Sequence, residues 1–153
     1  MFHIVLVEPE IPQNTGNIAR TCAETGAQLH LVRPLGFSID DRSLKRAGLD
    51  YWDALHVRCY DDFSAFVQAH PHERMFFLST HAARSYAEVS YRDGDFLVFG
   101  KETAGLGEAI LHRYADSAVR IPMREHMRSL NLSNAAALVL YEALRQTSFP
   151  NLI

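Results

Sequence analysis

The chain has 153 residues, of which 48% are hydrophobic and 22% are charged, a composition typical of one globular domain with a genuine core. Its net charge of −3 excludes a strongly basic nucleic-acid-binding domain, although 13 of its 15 cationic residues are Arg. No apolar run reaches the roughly 18 residues of a membrane-spanning helix.

The first residues and the cysteines indicate where the protein resides. The opening segment, MFHIVLVEPE, lacks the basic region of a signal peptide and reaches Glu8 too early for one. Cys22 and Cys59 are far apart and lack metal-ligand spacing, and the segment His70-Pro71-His72 has no third ligand nearby. We therefore expect a reduced, cytoplasmic protein without a metal site or membrane attachment.

Short runs rich in Val, Leu, Ile and Phe alternate with helix-like segments along the chain. The predicted strands are His3 to Val7, Gln28 to Val32, Ala54 to Tyr60, Met75 to Leu78, Phe96 to Phe99 and Ala118 to Ile121. The predicted helices are Thr15 to Thr25, Asp40 to Ala47, Asp62 to Ala69, one following Gly107, and one from about Ser133 to Thr147. This alternation predicts an α/β fold: a single domain over residues 1–153, with a mostly parallel sheet and helices on both faces.

The last predicted helix is apolar over more than one face. Its apolar residues are Ala135, Ala136, Ala137, Leu138, Val139, Leu140, Ala143 and Leu144. A helix that is apolar on two sides must be buried on two sides. Either the helix lies deep in the core, or a second subunit covers it, and we favour a homodimer.

The segment Pro12 to Arg20 lies between the first strand and the first helix. Ligands of open α/β sheets bind beyond the carboxyl ends of the strands, so this segment is well placed to contact one. Taken alone, it is better explained if Asn14 or Thr15 simply caps the helix and Arg20 is a surface residue.

A second candidate loop, Phe99 to Gly107, follows a strand and holds three glycines in eight residues. It lacks the Lys and the Ser or Thr that a phosphate-binding loop requires after Gly105, and Ile110 stands where a dinucleotide fingerprint needs its third glycine. The glycines still indicate a close approach of the backbone to a ligand, or a tight turn without one.

The third and most informative segment, Ile121 to Ala137, joins a strand to the last helix. Four polar residues crowd the start of this helix, namely Ser129, Asn131, Ser133 and Asn134. One helix cap needs only one or two of them, so the surplus predicts that this segment faces a ligand. Clustered cations add candidate phosphate contacts, at Arg42, Lys45 and Arg46 and at Arg120, Arg124 and Arg128.

Three segments in this order resemble one family. They are Asn14-x-Gly16-Asn17-Ile18-x-Arg20, then Gly100-x-Glu102-x-x-Gly105-Leu106, then Ile121-Pro122-Met123 leading into Ser129-Leu130-Asn131-Leu132-Ser133. The chain is similar to the SPOUT class of RNA ribose 2′-O-methyltransferases, and within it to the small YibK-type tRNA (cytidine/uridine-34)-2′-O-methyltransferases. The likeness covers essentially the whole chain.

The resemblance implies a trefoil knot near the C-terminus, a homodimer, and S-adenosyl-L-methionine as cofactor. It implies as substrate the anticodon stem-loop of tRNA, in leucine isoacceptors, methylated at the wobble ribose. The implied cofactor-binding residues are Leu78, Thr80, Gly100, Gly105, Ile121, Met123, Ser129 and Leu130. The implied catalytic residues are Arg20, Glu102 and Asn131, and Asn14, Arg124, Arg128 and Tyr141 are candidates for substrate binding.

The chemistry sets limits on these roles. Because a guanidinium is effectively never deprotonated in a protein, we expect Arg20 to hold a phosphate and stabilise the developing alkoxide rather than to act as a free base. Glu102 is expected to orient Arg20 or to accept the proton. Two other functions remain open: a non-catalytic RNA- or nucleotide-binding module, and a small nucleotide hydrolase built on the Gly100 loop. The same methyl transfer at another RNA position is also open.

Overall fold

The computed structural model describes residues 1–44, 46, 52 and 55–153. In this part of the chain six strands form one sheet: β1 His3–Val7, β2 Gln28–Val32, β3 Arg58–Tyr60, β4 Met75–Leu78, β5 Phe96–Phe99 and β6 Ala118–Val119. The helices are α1 Pro12–Thr25, α2 Phe63–Ala69, α3 Glu108–Arg113 and α4 Leu132–Gln146, with 3-10 turns at Tyr86–Glu88 and Ala115–Ser117.

The sheet has the strand order β3-β2-β1-β5-β4-β6, and every pairing between these strands is parallel. Both faces are covered, as the sequence predicts. Along β1, Ile4 and Leu6 join the core under α1 and α4, whereas Val5 and Val7 join the core under α2 and α3. This alternation follows from the two-residue period of a strand.

Four of the predicted strands have the predicted bounds, because short apolar runs buried on both faces are unambiguous. The strand predicted at Ala118 to Ile121 is shorter, ending at Val119, and Arg120 instead forms an isolated bridge with Ser85. Of the strand predicted from Ala54, only Arg58–Tyr60 is observed, and Ala54 lies outside the described residues.

The first helix begins three residues earlier than predicted. Pro12 occupies its first turn, where the missing N–H costs nothing, and Ile11 is the N-cap without a side-chain cap bond. The interpretation that Asn14 or Thr15 caps this helix is therefore wrong. Helix α4 begins at Leu132 rather than Ser133, and Asp62 caps α2 by accepting a bond from the Ala65 N–H at 2.7 Å.

The helix predicted over Asp40 to Ala47 is only partly within the described residues. Residues 42–44 and 46 are helical, while Lys45 and Ala47 lie outside the described part. Within the described part, both cysteines are free.

A chain of polar rings crosses the core beneath α2. His3 Nδ1 lies 2.9 Å from His30 Nε2, His30 Nδ1 lies 2.9 Å from the Tyr60 hydroxyl, and that hydroxyl lies 2.8 Å from His70 Nε2. His30 is fully buried, and desolvation lowers its pKa to about 3 and that of His3 to about 4. The three imidazoles are therefore neutral at physiological pH.

Candidate active site

The candidate site lies where the strand order reverses. Strands β2 and β3 lie on one side of β1, and β5, β4 and β6 lie on the other. The connections that leave the carboxyl ends of β1 and β5 therefore diverge, and open α/β sheets bind ligands at such a crevice. The segments after β1 and after β5 both belong to the predicted site.

The loop after β5 is a tight turn that leaves no room for a side chain at Gly100. A Cβ atom at Gly100 would lie 2.1 Å from the Gly105 carbonyl carbon and 2.2 Å from the Leu106 nitrogen. Lys101 and Gly105 exchange backbone hydrogen bonds of 3.2 and 2.9 Å, and Gly105 has φ +66°, a value that favours glycine. The glycine spacing thus reflects the packing of the loop against itself.

Glu102 fastens this loop to the segment after β1. One carboxylate oxygen accepts the Glu10 N–H at 2.8 Å, and the other accepts the Ile11 N–H at 2.7 Å and the Asn14 side-chain amide at 3.2 Å. Three donors on one carboxylate hold it in place. This geometry favours a positioning role for Glu102 over the predicted role of proton acceptor.

The third segment joins the same hydrogen-bond chain through Asn131. The Asn131 amide donates to Asn14 Oδ1 at 3.1 Å, while Asn131 Oδ1 accepts the Ser133 N–H at 2.9 Å and the Ser133 hydroxyl at 2.6 Å. Asn131 is therefore both the N-cap of α4 and a link to α1. The structure brings Glu102, Asn14 and Asn131, one from each predicted motif, into one connected chain of bonds.

Sequence reasoning missed a second fastening between the same two loops. The Glu10 carboxylate accepts the Thr103 N–H at 3.0 Å and the Thr103 hydroxyl at 2.7 Å, and these bonds lower the pKa of Glu10. No local pattern marks this pair, because the two residues are 93 positions apart.

Arg20 lies on the exposed side of α1, six residues beyond Asn14, or about 9 Å along the helix axis. Its Nε donates to Glu24 Oε1 at 3.1 Å, and the two side chains are 55% and 47% exposed. An exposed pair of this kind stabilises a protein by only ~0.2–1 kcal/mol. The Arg20 side chain is therefore within reach of a phosphate from solvent, and its pair with Glu24 is weak.

The carboxyl edge of the sheet carries apolar side chains that the protein covers only in part. Ile121 and Met123 are half-buried, Leu78 is half-buried at the end of β4, and Leu130 is 39% exposed. Thr80 and Ser129 are exposed beside them. Partly covered apolar walls beside exposed hydroxyls and backbone fit the adenosine of a nucleoside cofactor.

The predicted substrate-binding residues are less clustered. Arg124 and Arg128 are exposed in the segment 120–131 between β6 and α4, and Arg42 and Arg46 are exposed as well. Tyr141, 47% exposed, lies ten residues beyond Asn131, or about 15 Å along α4, with its ring centroid 6.5 Å from that of Phe149. Within this chain Tyr141 is thus set apart from the three loops.

Two further features of the described residues bear on function. Among the described residues, no group of three or more His, Cys, Asp or Glu side chains could hold a metal ion. Each helix in the same part of the chain is too short or too polar to traverse a bilayer.

The sequence of the whole chain matches a known family. The model of the SpoU rRNA methylase family matches residues 1–141. The chain belongs to this family. It is 49% identical over 154 aligned residues to the tRNA (cytidine(34)-2′-O)-methyltransferase of Escherichia coli K12, covering 100% of this chain and 98% of that protein.

Solved structures of RNA methyltransferases superpose on this chain. One, from work on the "2-OH methylation of C/U34 on tRNA", has a TM-score of 0.92 and 48% identity, with 97% of each chain covered. Another, the rRNA methyltransferase of Sinorhizobium meliloti with bound AdoMet, has a TM-score of 0.84 and 26% identity, covering 94% of this chain and 56% of that one. SPOUT methyltransferases therefore share the six-stranded α/β fold of this chain.

Proposed function

We propose that this chain transfers a methyl group from S-adenosyl-L-methionine to the ribose 2′-hydroxyl at the wobble position of tRNA. The observation that carries the proposal is the hydrogen-bond chain Glu102–Asn14–Asn131, which fastens the three motif segments together at the carboxyl edge of the sheet. The Escherichia coli relative, half identical over its full length, is named for this reaction.

The cofactor supplies an electrophilic methyl group on a sulfonium. Half-exposed Ile121, Met123 and Leu130 would cover its adenosine, and the backbone after Gly100 would read the adenine edge. The same backbone cannot retreat from the ligand, because Glu102 and the Lys101–Gly105 bonds fix the loop. Ser129 and Thr80 offer hydroxyls to the rest of the cofactor.

The side chains on α1 would orient the target ribose. Arg20 is exposed and keeps its charge at all physiological pH values, so it can bind the neighbouring phosphate and stabilise negative charge as the hydroxyl loses its proton. In-line displacement depends largely on such positioning. Arg124 and Arg128 would hold further phosphates along the anticodon stem-loop, and the local cations compensate for a chain that is negative overall.

We further propose that two copies assemble through α4. Three large apolar side chains on its outer side and on the tail that follows it are exposed: Leu138 at 37%, Tyr141 at 47% and Phe149 at 41%. The inner side of α4 is already covered by α1 and the sheet, so a second copy is the simplest cover for the outer side. In such a dimer Tyr141 could serve the partner's site.

A trefoil knot is proposed for the C-terminal part. The segment 120–131 leaves β6 at the sheet's edge and reaches α1 through the Asn131–Asn14 bond, so it crosses over the carboxyl ends of β4 and β5. The segment 79–86 lies beside it, with the Tyr86 N–H donating to the Arg120 carbonyl at 2.8 Å. Crossing segments held side by side are what a knotted connection requires.

The free thiols and a tRNA substrate favour a cytoplasmic location.

The decisive test is transfer of labelled methyl from S-adenosyl-L-methionine to unmodified tRNA, followed by mapping of the labelled nucleotide. Arg20→Ala should abolish transfer, whereas Arg145→Ala should not, although it removes a comparable surface Arg–Glu pair elsewhere. Label on the wobble ribose of leucine isoacceptors supports the full proposal. Cofactor binding without transfer to any RNA would instead favour a non-catalytic binding module.

A further inference from the structure

A groove rich in arginine lies away from the candidate active site. It encloses about 690 Å³ at the edge of the sheet, and four of the chain's arginines line it: Arg74, Arg84, Arg92 and Arg113. Strand β6 has only two residues and pairs with the end of β4, at Phe77 and Leu78. The start of β4, at Met75, therefore remains at an open edge and forms part of the groove.

The groove and the candidate site are at opposite ends of β4. Met75 lies three residues before Leu78, or roughly 10 Å along a strand, and the candidate site extends beyond Leu78 in the other direction. A ligand that contacts both must be long. The nucleotide that receives the methyl group cannot itself fill the groove.

One of the four arginines organises the groove. Arg74 donates from Nε and Nη2 to the two carboxylate oxygens of Asp95, at 2.8 and 3.0 Å, and Asp95 is only 2% exposed. The same carboxylate accepts the Arg92 N–H at 2.7 Å. The ion pair between the exposed Arg74 and the buried Asp95 therefore neutralises Arg74, and Asp95 fixes the backbone that carries Arg92.

The other three guanidinium groups keep their charge available. Arg84 donates to the Asp116 carbonyl at 3.0 Å, and Arg113 lies over the Tyr114 ring, 5.1 Å from its centroid. Both partners are uncharged. In the described part of the chain, no carboxylate lies within ion-pair distance of Arg84, Arg92 or Arg113.

The lining also includes two carboxylates, and these limit what can bind. Glu88 accepts the Ser85 N–H at 2.7 Å, and Glu73 is exposed at the rim. Because Asp95 neutralises Arg74, three charged arginines line the groove together with these two glutamates, in a chain whose net charge is −3. The space is far larger than one ion fills, so the arrangement suits several phosphates of an extended chain rather than one tightly held anion.

We propose that this groove binds backbone phosphates of the substrate RNA several nucleotides from the methylated ribose. The inference rests on the proposed function, which brings a polyphosphate to this protein. The guanidinium groups of Arg84 and Arg113 contact neutral partners and are suited to phosphate oxygens, because the paired donors of a guanidinium match two oxygens at once. The groove thus adds affinity and orientation to the RNA without contacting the reacting atoms.

The test compares the affinity of the full-length protein for unmodified tRNA between 50 and 200 mM salt, a range over which phosphate contacts are strongly weakened. The double variant Arg92→Gln/Arg113→Gln removes two exposed charges from the groove. The control, Arg58→Gln/Arg145→Gln, removes two exposed charges outside it. Thermal unfolding of each variant checks its fold, and Arg92→Gln alone serves if the double variant is unstable.

We expect the groove variant to bind tRNA at least about 10-fold more weakly at low salt, with the slope of log K against log salt reduced by about 1.4–1.8 for two lost contacts. The turnover number at saturating tRNA and the dissociation constant for S-adenosyl-L-methionine should be unchanged. Arg92→Lys should recover part of the affinity. An affinity and salt slope equal to those of the control would overturn the proposal.

The same experiment separates this inference from the proposed function. Wild-type protein that methylates tRNA normally, with a groove variant that binds tRNA as tightly, would refute the groove alone. Wild-type protein that binds tRNA through the groove but transfers no methyl group would refute the proposed reaction and leave the groove as an RNA contact.

Discussion

The role of Glu102 can be tested by replacing it with glutamine. The carboxylate accepts three hydrogen bonds, from the Glu10 N–H, the Ile11 N–H and the Asn14 amide, at 2.8, 2.7 and 3.2 Å. Glutamine has a single acceptor oxygen. In its best orientation the glutamine oxygen still accepts from the Ile11 N–H and the Asn14 amide. The glutamine NH₂ group then faces the Glu10 N–H, so two donors meet and that hydrogen bond is lost.

The expected cost follows from these contacts. A hydrogen bond to a charged group contributes ~1.5–3 kcal/mol and one between neutral groups ~0.5–1.5 kcal/mol, so Glu102→Gln loses one bond and weakens two. Because Glu102 is only half-buried, water can replace part of the lost hydrogen bonding. We therefore expect the free energy that stabilises the observed position of the loop to fall by about 2 kcal/mol. This corresponds to a loss of affinity for S-adenosyl-L-methionine of up to ~30-fold.

Calorimetric titration with S-adenosyl-L-methionine measures that affinity, and the pH dependence of kcat/KM for methyl transfer measures any role in proton transfer. A positioning residue should weaken binding and leave the shape of the pH profile unchanged. Glu108→Gln, an exposed carboxylate at the start of α3, is the matched control and should do neither. If Glu102→Gln left affinity intact but removed the acidic limb of the profile, the positioning argument would be wrong.

Three further outcomes are expected. Gly100→Ala would place a methyl group 2.1 Å from the Gly105 carbonyl carbon, so calorimetry should find affinity for S-adenosyl-L-methionine reduced at least ~100-fold; unaltered binding would contradict the packing of this loop. Asn131→Ala removes the cap of α4, which should cost ~1 kcal/mol and lower the Tm by about 2–4 °C in thermal unfolding. Asn131→Asp keeps the cap oxygen but cannot donate to Asn14, so it should restore the Tm without restoring methyl transfer. Finally, burial lowers the pKa of His30 from 6.5 to about 3, so below pH 6.5 the unfolded chain binds a proton that the native protein excludes. Because the lowered pKa of His3 acts in the same direction, denaturant titrations should find the free energy of unfolding lower by at least about 2 kcal/mol at pH 5 than at pH 7, and equal values would mean that these histidines are not held neutral.

The sequence predicts the sheet better than the connections, for a physical reason. Strands such as Phe96–Phe99 are apolar on both faces, and burial alone determines them. The start of α1 was misplaced because the signal lies in Pro12, which is favoured in a first turn, and not in the polar residues that follow. The length of β6 depends on its neighbour: the bridge between Arg120 and Ser85 replaces the strand's last residues.

For the candidate site, too, the sequence indicates the residues better than it indicates the contacts between them. The resemblance implies the members of the site, and the structure brings three of them, Glu102, Asn14 and Asn131, together, while their roles in the reaction stay predictions. Their contacts could not be predicted, since each bond joins segments about ninety residues or more apart. The bond between Glu10 and Thr103 likewise joins distant segments and could not be predicted. For the same reason the sequence does not show that the Glu102 carboxylate accepts bonds from backbone N–H groups rather than from Arg20.

The distribution of charge explains how a negative chain can hold RNA at two places. At the carboxyl edge of the sheet the Glu102 carboxylate is directed toward internal donors, and the side chains of Arg20 and Arg128 are exposed to solvent. At the groove, Asp95 neutralises Arg74 only, and Arg92 and Arg113 remain charged. At physiological ionic strength fields decay over about 8 Å, less than the ~10 Å that separates the groove from the far end of β4. The two basic regions would therefore attract different phosphates of one RNA, and each would contribute its own share of the salt dependence rather than strengthening the other.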